Sequence, residues 1–312
     1  MDTAKKQPNK VARPVPRAAR FASGPPKDRE AFAKHMFQED LYSGILPYHL
    51  RRGENEWISV TGNEEDRRKA LALCGSLGAG RPFSVERAVA DAIETIGVRL
   101  AHYGVALFEK LGGSEGVPLT LSPFNEEHVW SLPGLFLQMV PRQSWEYTKK
   151  KYAFIPSKYV WRVRLPRQLG SRRKYRAMLA EFSAGSSLGP DFLQAELEKR
   201  RFPQEFSVGD YMRLVRVHQY RATRGWGWPT RDWSLDYVTE FYQFYRLATF
   251  RWAQAVLREH IVVQLNIFLS QQGISAKIAL QNVPQASTIL EAREKLRQGA
   301  IDFAGLNKLW NP

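Results

Sequence analysis

Between residues 142 and 176, twelve lysines and arginines meet a single acid, Glu146. Aromatic residues are interleaved with them, among them Trp145, Tyr147, Tyr152, Tyr159 and Trp161. Lysine offers phosphate a compact point charge, arginine a two-pronged donor, and an aromatic ring a platform for a base. The residues with this chemistry are Lys149, Lys150, Lys151, Lys158, Arg162, Arg164, Arg167, Arg172, Arg173 and Lys174. In YVWRVRLP a period of two puts Tyr159, Trp161, Val163 and Leu165 on one face and Val160, Arg162 and Arg164 on the other. Two readings stay open here. The strip contacts a polyanion, or its aromatics are core and its charges form one solvated face.

Other combinations do not assemble into a catalytic site. GSSLG (185–189) has the spacing of a nucleophile elbow around Ser187, but a basic helical segment precedes it where a strand is required. Asp191 with Glu198-Lys199 echoes a carboxylate metal centre, yet the acid and lysine are adjacent and lie on one predicted helix. The six histidines are scattered and Cys74 is the single cysteine, which argues against zinc and a disulfide framework. GSLGAG (75–80) lacks the Lys-Ser/Thr of a phosphate loop. No catalytic residue, metal or cofactor is expected.

The whole chain repeats the charge of the strip. A net charge of +15 points to nucleic acid first and to an anionic membrane second. An apolar content of 44% is that of a globular protein. Residues 1–29 hold five prolines and eight basic residues against Asp2 and Asp28, the composition of a disordered basic arm. That arm lacks the apolar stretch of a secretory signal, so the expected location is the host cytoplasm. The longest apolar window, 247–269, contains Arg251, Arg258, Glu259 and His260, so no membrane span is expected.

Several elements must position these residues. A helix is predicted at 29–39, a strand at 56–61 and a helix at 64–74. Another helix, capped by Ser84, runs to His102, its apolar residues recurring at three- and four-residue spacing. Strands follow at 104–111, 117–123, LFLQMV, YAFIP and YVWRVRLP, then helices at 172–183 and 191–201, while 211–222 fits either a strand or a helix. TRGWGWPTRDW (223–233) bends at Gly225, Gly227 and Pro229, and reads better as a stiff corner anchored by Trp226, Trp228 and Trp233 than as a binding surface.

From Ser234 to Gln271 no glycine or proline intervenes, which allows a helix of ~54 Å. Its polar residues form a thin stripe near Glu240, Gln243, Arg251, Gln254 and Arg258. A helix this apolar needs burial in a core or between subunits, and Phe241, Tyr245, Trp252, Val256 and Leu265 are the expected oligomer contacts. GISAKIAL (273–280) reads as a strand. Thr288 and Glu291 have the spacing of a capping box opening a last helix, with Gly299 at its stop. The expected fold class is α+β. A basic arm (1–29) precedes a mixed region with a basic surface (30–232), then the long helix and a helical C-terminal segment (233–312).

The order of these elements resembles one family. A helix leading into GVALFEKL, then VPLTLSP, then a strand-rich stretch ending FIPSKYVW, is similar to the wing region of tailed-phage portal proteins. LREHIVVQLNIFLSQQG (257–273) resembles the portal helix that ends in a Leu-Asn step before a glycine, and EAREKLRQGAIDF (291–303) resembles the ending that follows. The likeness spans residues 84–305. It departs from the family in the shortness and basicity of the chain. The resemblance implies a virion ring of about twelve copies that passes double-stranded DNA and docks a packaging ATPase and capsid proteins, without catalysis. The competing reading is a basic, non-enzymatic DNA-binding protein of a mobile element.

Overall fold

The computed structural model describes residues 28–46, 57–78, 82–113, 119–124, 126–140, 151–186, 208–231 and 239–310. The fold is α+β. Its elements are α1 (Asp28–Ser43), β1 (Ile58–Thr61), α2 (Glu64–Gly75), α3 (Val85–Tyr103), β2 (Val105–Leu111) and β3 (Thr120–Pro123). There follow β4 (Val129–Leu132), β5 (Leu135–Met139), β6 (Tyr152–Pro156), β7 (Val160–Arg164), α4 (Arg172–Ser186) and α5 (Val208–Ala222). The chain closes with α6 (Glu240–Gln271), β8 (Lys277–Leu280), α7 (Ala286–Arg297) and α8 (Phe303–Trp310).

Helix α3 forms as its sequence predicts. The Ser84 hydroxyl accepts from the Arg87 N–H at 3.1 Å, and Gly104 stops the helix in the left-handed region, where its N–H meets Leu100 O at 2.9 Å. Its apolar stripe, including Ala88, Ile93, Ile96 and Leu100, is fully buried. A main core gathers Phe37, Ile93, Trp161, Phe182, Trp228 and Leu265 from elements spread along the chain.

Strands pair antiparallel in three small sheets, ordered β1-β8, β3-β2-β7 and β4-β5-β6. β1 and β8 join the two ends of the described chain, with Ile58 opposite Leu280. The Asn266 side chain on α6 donates to Ile278 O and accepts from Ile278 N–H, both at 2.8 Å, so an amide completes the β8 ladder. A second core, Val105, Leu107, Phe124, Phe136 and Ile155, joins the two three-stranded sheets.

The long helix departs from its sequence reading in an instructive way. It starts at Glu240, with Thr239 as N-cap, rather than near 232–234, and residues 232–238 lie outside the described set. Much of its polar stripe faces inward. Gln254 donates to Asp40 O at 2.8 Å, and Arg258 donates to Ile45 O at 3.1 Å and to Pro284 O. Arg246 donates to Tyr220 O, Thr223 Oγ1 and Trp228 O, with its guanidinium 4.1 Å from the Tyr220 ring centroid. Most of these bonds go to backbone oxygens at and just beyond the C-terminal ends of α1 and α5, where helix carbonyls run out of intrahelical donors. Burial pushes the Arg258 guanidinium down to about 10.

Residues 211–222, which the sequence left open between strand and helix, belong to helix α5. Two further features differ from expectation. Strand β4 was not foreseen. The last long helix starts at Ala286, before Thr288, so the Thr288/Glu291 pair is not a capping box. Its first-turn donor is satisfied from outside, with Glu259 Oε1 on α6 accepting the Ala286 N–H at 2.7 Å. Its end matches expectation: Gly299 N–H reaches Leu296 O and Ala300 N–H reaches Lys295 O, a Schellman closure.

Candidate nucleic-acid interface

Strand β7 runs along one edge of its sheet, beside β2. Its alternation is realised in space. Trp161, Val163 and Leu165 are buried, while Arg162 and Arg164 are exposed. Trp161 stacks on Phe268 of α6 at 4.5 Å and lies 5.3 Å from Phe108 of β2. His260 of α6 is hydrogen-bonded to Arg164 O at 2.9 Å, bracing the strand from behind, and burial lowers its imidazole pKa. The strand is thus anchored by its apolar face, leaving the guanidinium groups outward.

The chain then passes through a short turn at Arg167–Leu169 to Gly170 and enters α4. Ser171 Oγ accepts from the Lys174 N–H at 3.3 Å at the head of this helix. Tyr175 is buried and donates its hydroxyl to Ala101 O on α3, while Phe182 packs in the main core. The opposite side of the first turn is exposed, with Arg172, Arg173 and Lys174 and, one turn on, Arg176.

Three cations and no acid in a first helical turn reverse the usual preference, since the N-terminal dipole end already carries about half a positive charge. The same dipole end favours an anion. The neighbouring guanidinium groups strain one another as well. Arg172 is held below its ordinary pKa by partial desolvation, then by Arg176 and Arg162, with Glu126 opposing. Arg162 is lowered by desolvation and by Arg164. Among the described residues no carboxylate forms an ion pair with Arg162, Arg164, Arg167, Arg172, Arg173, Lys174 or Arg176. The face therefore concentrates positive charge that no ion pair among the described residues neutralises.

Of the sequence-derived basic residues, Lys151, Lys158, Arg162, Arg164, Arg167, Arg172, Arg173 and Lys174 are all exposed, and Lys149 and Lys150 lie outside the described residues. The charges of Arg176 and Arg162 both act on Arg172, and that of Arg164 acts on Arg162. Lys158 lies apart over the Tyr159 ring, at 4.8 Å. The aromatics divide: Trp161 is core, Tyr159 is exposed, and Trp145 and Tyr147 lie outside the described residues.

The tryptophans of the 223–231 corner face inward. Trp226 and Trp228 are buried, and Trp228 Nε1 donates to Asp40 at 2.8 Å beside the ion pairs of Arg231 with Glu39 and Asp40. This is the stiff corner, and Trp233 falls outside the described residues.

The expected oligomer contacts also divide. Phe241 is 42% exposed and stacks with half-buried Tyr245, and Trp252 is half-buried beneath Arg293. Val256 is buried against Ala286 and Ile289, and Leu265 belongs to the main core, so neither presents a surface.

The candidates for catalysis give no further site. Ser187, Asp191, Glu198 and Lys199 lie outside the described residues. Among the described residues no cluster of His, Cys, Asp or Glu could hold a metal, and no helix is long and apolar enough to cross a membrane. Burial pushes the Cys74 thiol up to about 12. A cleft of about 730 Å³ between α3 and β3 contains the Arg99–Glu126 ion pair. Burial raises the Glu126 carboxyl despite Arg99, and this carboxylate accepts the Leu107 N–H at 3.1 Å where β3 has left β2. That pair, which sequence reading missed, completes the sheet edge.

No protein-family profile and no curated protein matches the sequence. Among solved structures, the chain is similar to one in the neck of an empty GTA particle computed with C6 symmetry. The identity is 12%, the similarity covers 87% of this chain and 85% of that one, and the TM-score is 0.48. It is also similar to a chain in the virion of a native gene transfer agent particle, at 12% identity, 93% and 92% coverage and a TM-score of 0.47. Likeness at this level assigns no function.

Proposed function

We propose that this chain is a structural subunit of a homo-oligomeric, portal-like ring that lays its β7–α4 basic face against the phosphates of double-stranded DNA. The supporting observation is the uncompensated set Arg162, Arg164, Arg172 and Arg176, placed beside two further first-turn cations where a helix N-terminus itself attracts anions. Arg162 and Arg164, two residues apart on one strand face, are separated by about 6.6 Å, so each can meet a different phosphate. The contact is electrostatic and independent of base sequence. Packaging ATPase and capsid proteins are the partners that the portal resemblance brings with it.

Reversing Arg162, Arg164, Arg172 and Arg173 to Glu is expected to lower duplex affinity at least a hundredfold while leaving the circular dichroism spectrum unchanged. All four side chains lie at the surface, and the exchange removes one described structural contact, the Arg172 Nε hydrogen bond to Tyr103 O at 3.1 Å. Binding that survives the quadruple variant places the DNA contact elsewhere.

The ring part rests on apolar surface at the start of α6, where Phe241 is 42% and Tyr242 38% exposed. Light scattering after size exclusion is expected to give a mass near about twelve protomers that persists in high salt. A monomer or dimer at both salt concentrations leaves the second reading, a basic DNA-binding protein using the same face without a ring.

A further inference from the structure

The β4-β5-β6 sheet has one face packed against the rest of the molecule and one turned away. An antiparallel sheet in that position ordinarily alternates, apolar inward and polar outward. Here the two polar residues share the face of buried Phe136 and Ile155, although Ser131 itself is exposed. Ser131 pairs with buried Phe136, and Gln138 lies in register with Val129 on that same face. The outward face carries two rows read across the strands, Trp130–Leu137–Phe154 and Leu132–Leu135–Pro156. A third pairing, Met139 with Tyr152, extends it. Phe154 is 68% and Leu132 45% exposed. None of the three strands contains a charged residue, but the exposed Lys151 and Lys158 flank β6 at its two ends.

We propose that this face is a docking site for one amphipathic helix of another protein, apolar on its inner side and acidic along its rim. The dimensions fit a helix. Three strands ~4.8 Å apart and five residues at ~3.4 Å each give a surface of about 14 by 17 Å. A helix about 10–12 Å across covers that surface in roughly three turns, the usual cover for a sheet face. Charge selects the partner. The exposed Lys158 beside β6, in a chain carrying +15, attracts carboxylates. Only three of the eight outward residues are aromatic, which makes a poor base-stacking platform. The proposal is independent of the nucleic-acid reading, which uses β7 and α4.

The probe is a fluorescently labelled fourteen-residue designed helix with a Leu/Phe stripe flanked by Glu, and a control carrying Lys in place of Glu. Saturable binding of the Glu peptide is expected by anisotropy, with at least tenfold weaker binding of the Lys peptide. Leu132→Asp with Phe154→Asp, at exposed positions, is expected to weaken the Glu peptide at least tenfold and leave duplex DNA affinity unchanged. Equal binding of the two peptides, or binding indifferent to the double substitution, overturns the proposal. So does transfer of the face's dependence to phosphatidylglycerol vesicles, to oligo-dT, or to self-association of the protein.

Discussion

Gly227→Ala is expected to destabilise the protein by roughly 2–5 kcal/mol, the sum of a left-handed backbone cost of ~1–2 and an overpacking cost of ~1–3. Gly227 has a φ of +70°, in the corner that turns α5 toward α6. A Cβ there would sit 2.5 Å from Arg246 O, 2.5 Å from Thr249 Cβ and 3.0 Å from the Phe250 backbone nitrogen. These are backbone atoms and a β-carbon of a packed helix, so no flexible side chain can swing aside. Relief requires α6 to move from the corner, which also pulls Arg246 from Thr223 and Trp228. Gly299→Ala is the control: its φ is +71°, but nothing lies within 4 Å of the added methyl, so only the backbone cost of ~1–2 kcal/mol applies. Urea midpoints for the two variants test this. Equal losses would contradict close contact of the corner with α6.

Phe37→Ala is expected to cost ~3–5 kcal/mol, the usual range for emptying a buried phenylalanine site. Phe37 is fully buried on α1 and is surrounded by rings from three other segments. Trp228 lies at 5.8 Å, Trp226 at 5.9 Å, Phe182 at 6.1 Å, Phe250 at 6.2 Å and Tyr175 at 6.5 Å between centroids. Two of those rings belong to α4, the helix that begins with the basic turn. The truncation is therefore expected to weaken near-ultraviolet dichroism, red-shift tryptophan emission and loosen DNA binding together. The Arg-to-Glu variant separates the effects by removing binding alone. An unchanged denaturation midpoint for Phe37→Ala would show that the aromatic cluster does not join α1 to α4.

The sequence reading succeeded where one side of an element meets the core and the other meets water. In β7 the buried Trp161 and Val163 alternate with exposed Arg162 and Arg164, and α3 shows its period of 3.6 because its stripe packs on one side. It failed where polar groups answer backbone needs elsewhere in the chain. Gln254 and Arg258 look like a solvated stripe on α6, but the carbonyls at the end of α1 draw them inside. Glu259 caps α7 across 27 positions, a role no local motif records. Strand β4 is four residues long and places Trp130 and Leu132 outward, so its pattern lacks the polar face that marks a surface strand.

Of the candidate interface, the period-two division of β7 was legible, while the exposure of the basic strip was left open by the sequence. The action of the Arg162 charge on Arg172 was not legible, because it depends on how the turn at 167–170 carries the chain from β7 into α4.

The most direct test of the basic face is the salt dependence of duplex affinity in the native protein and in the Arg162, Arg164, Arg172 and Arg173 quadruple variant. Each phosphate neutralised contributes about −0.9 to the slope of log affinity against log salt. The native protein is expected to give a steep slope of several phosphate contacts, indifferent to base sequence, and the variant a slope shallower by the contacts that these four side chains make. Equal slopes in the two proteins, or affinity indifferent to salt, would contradict the assignment of this face to DNA.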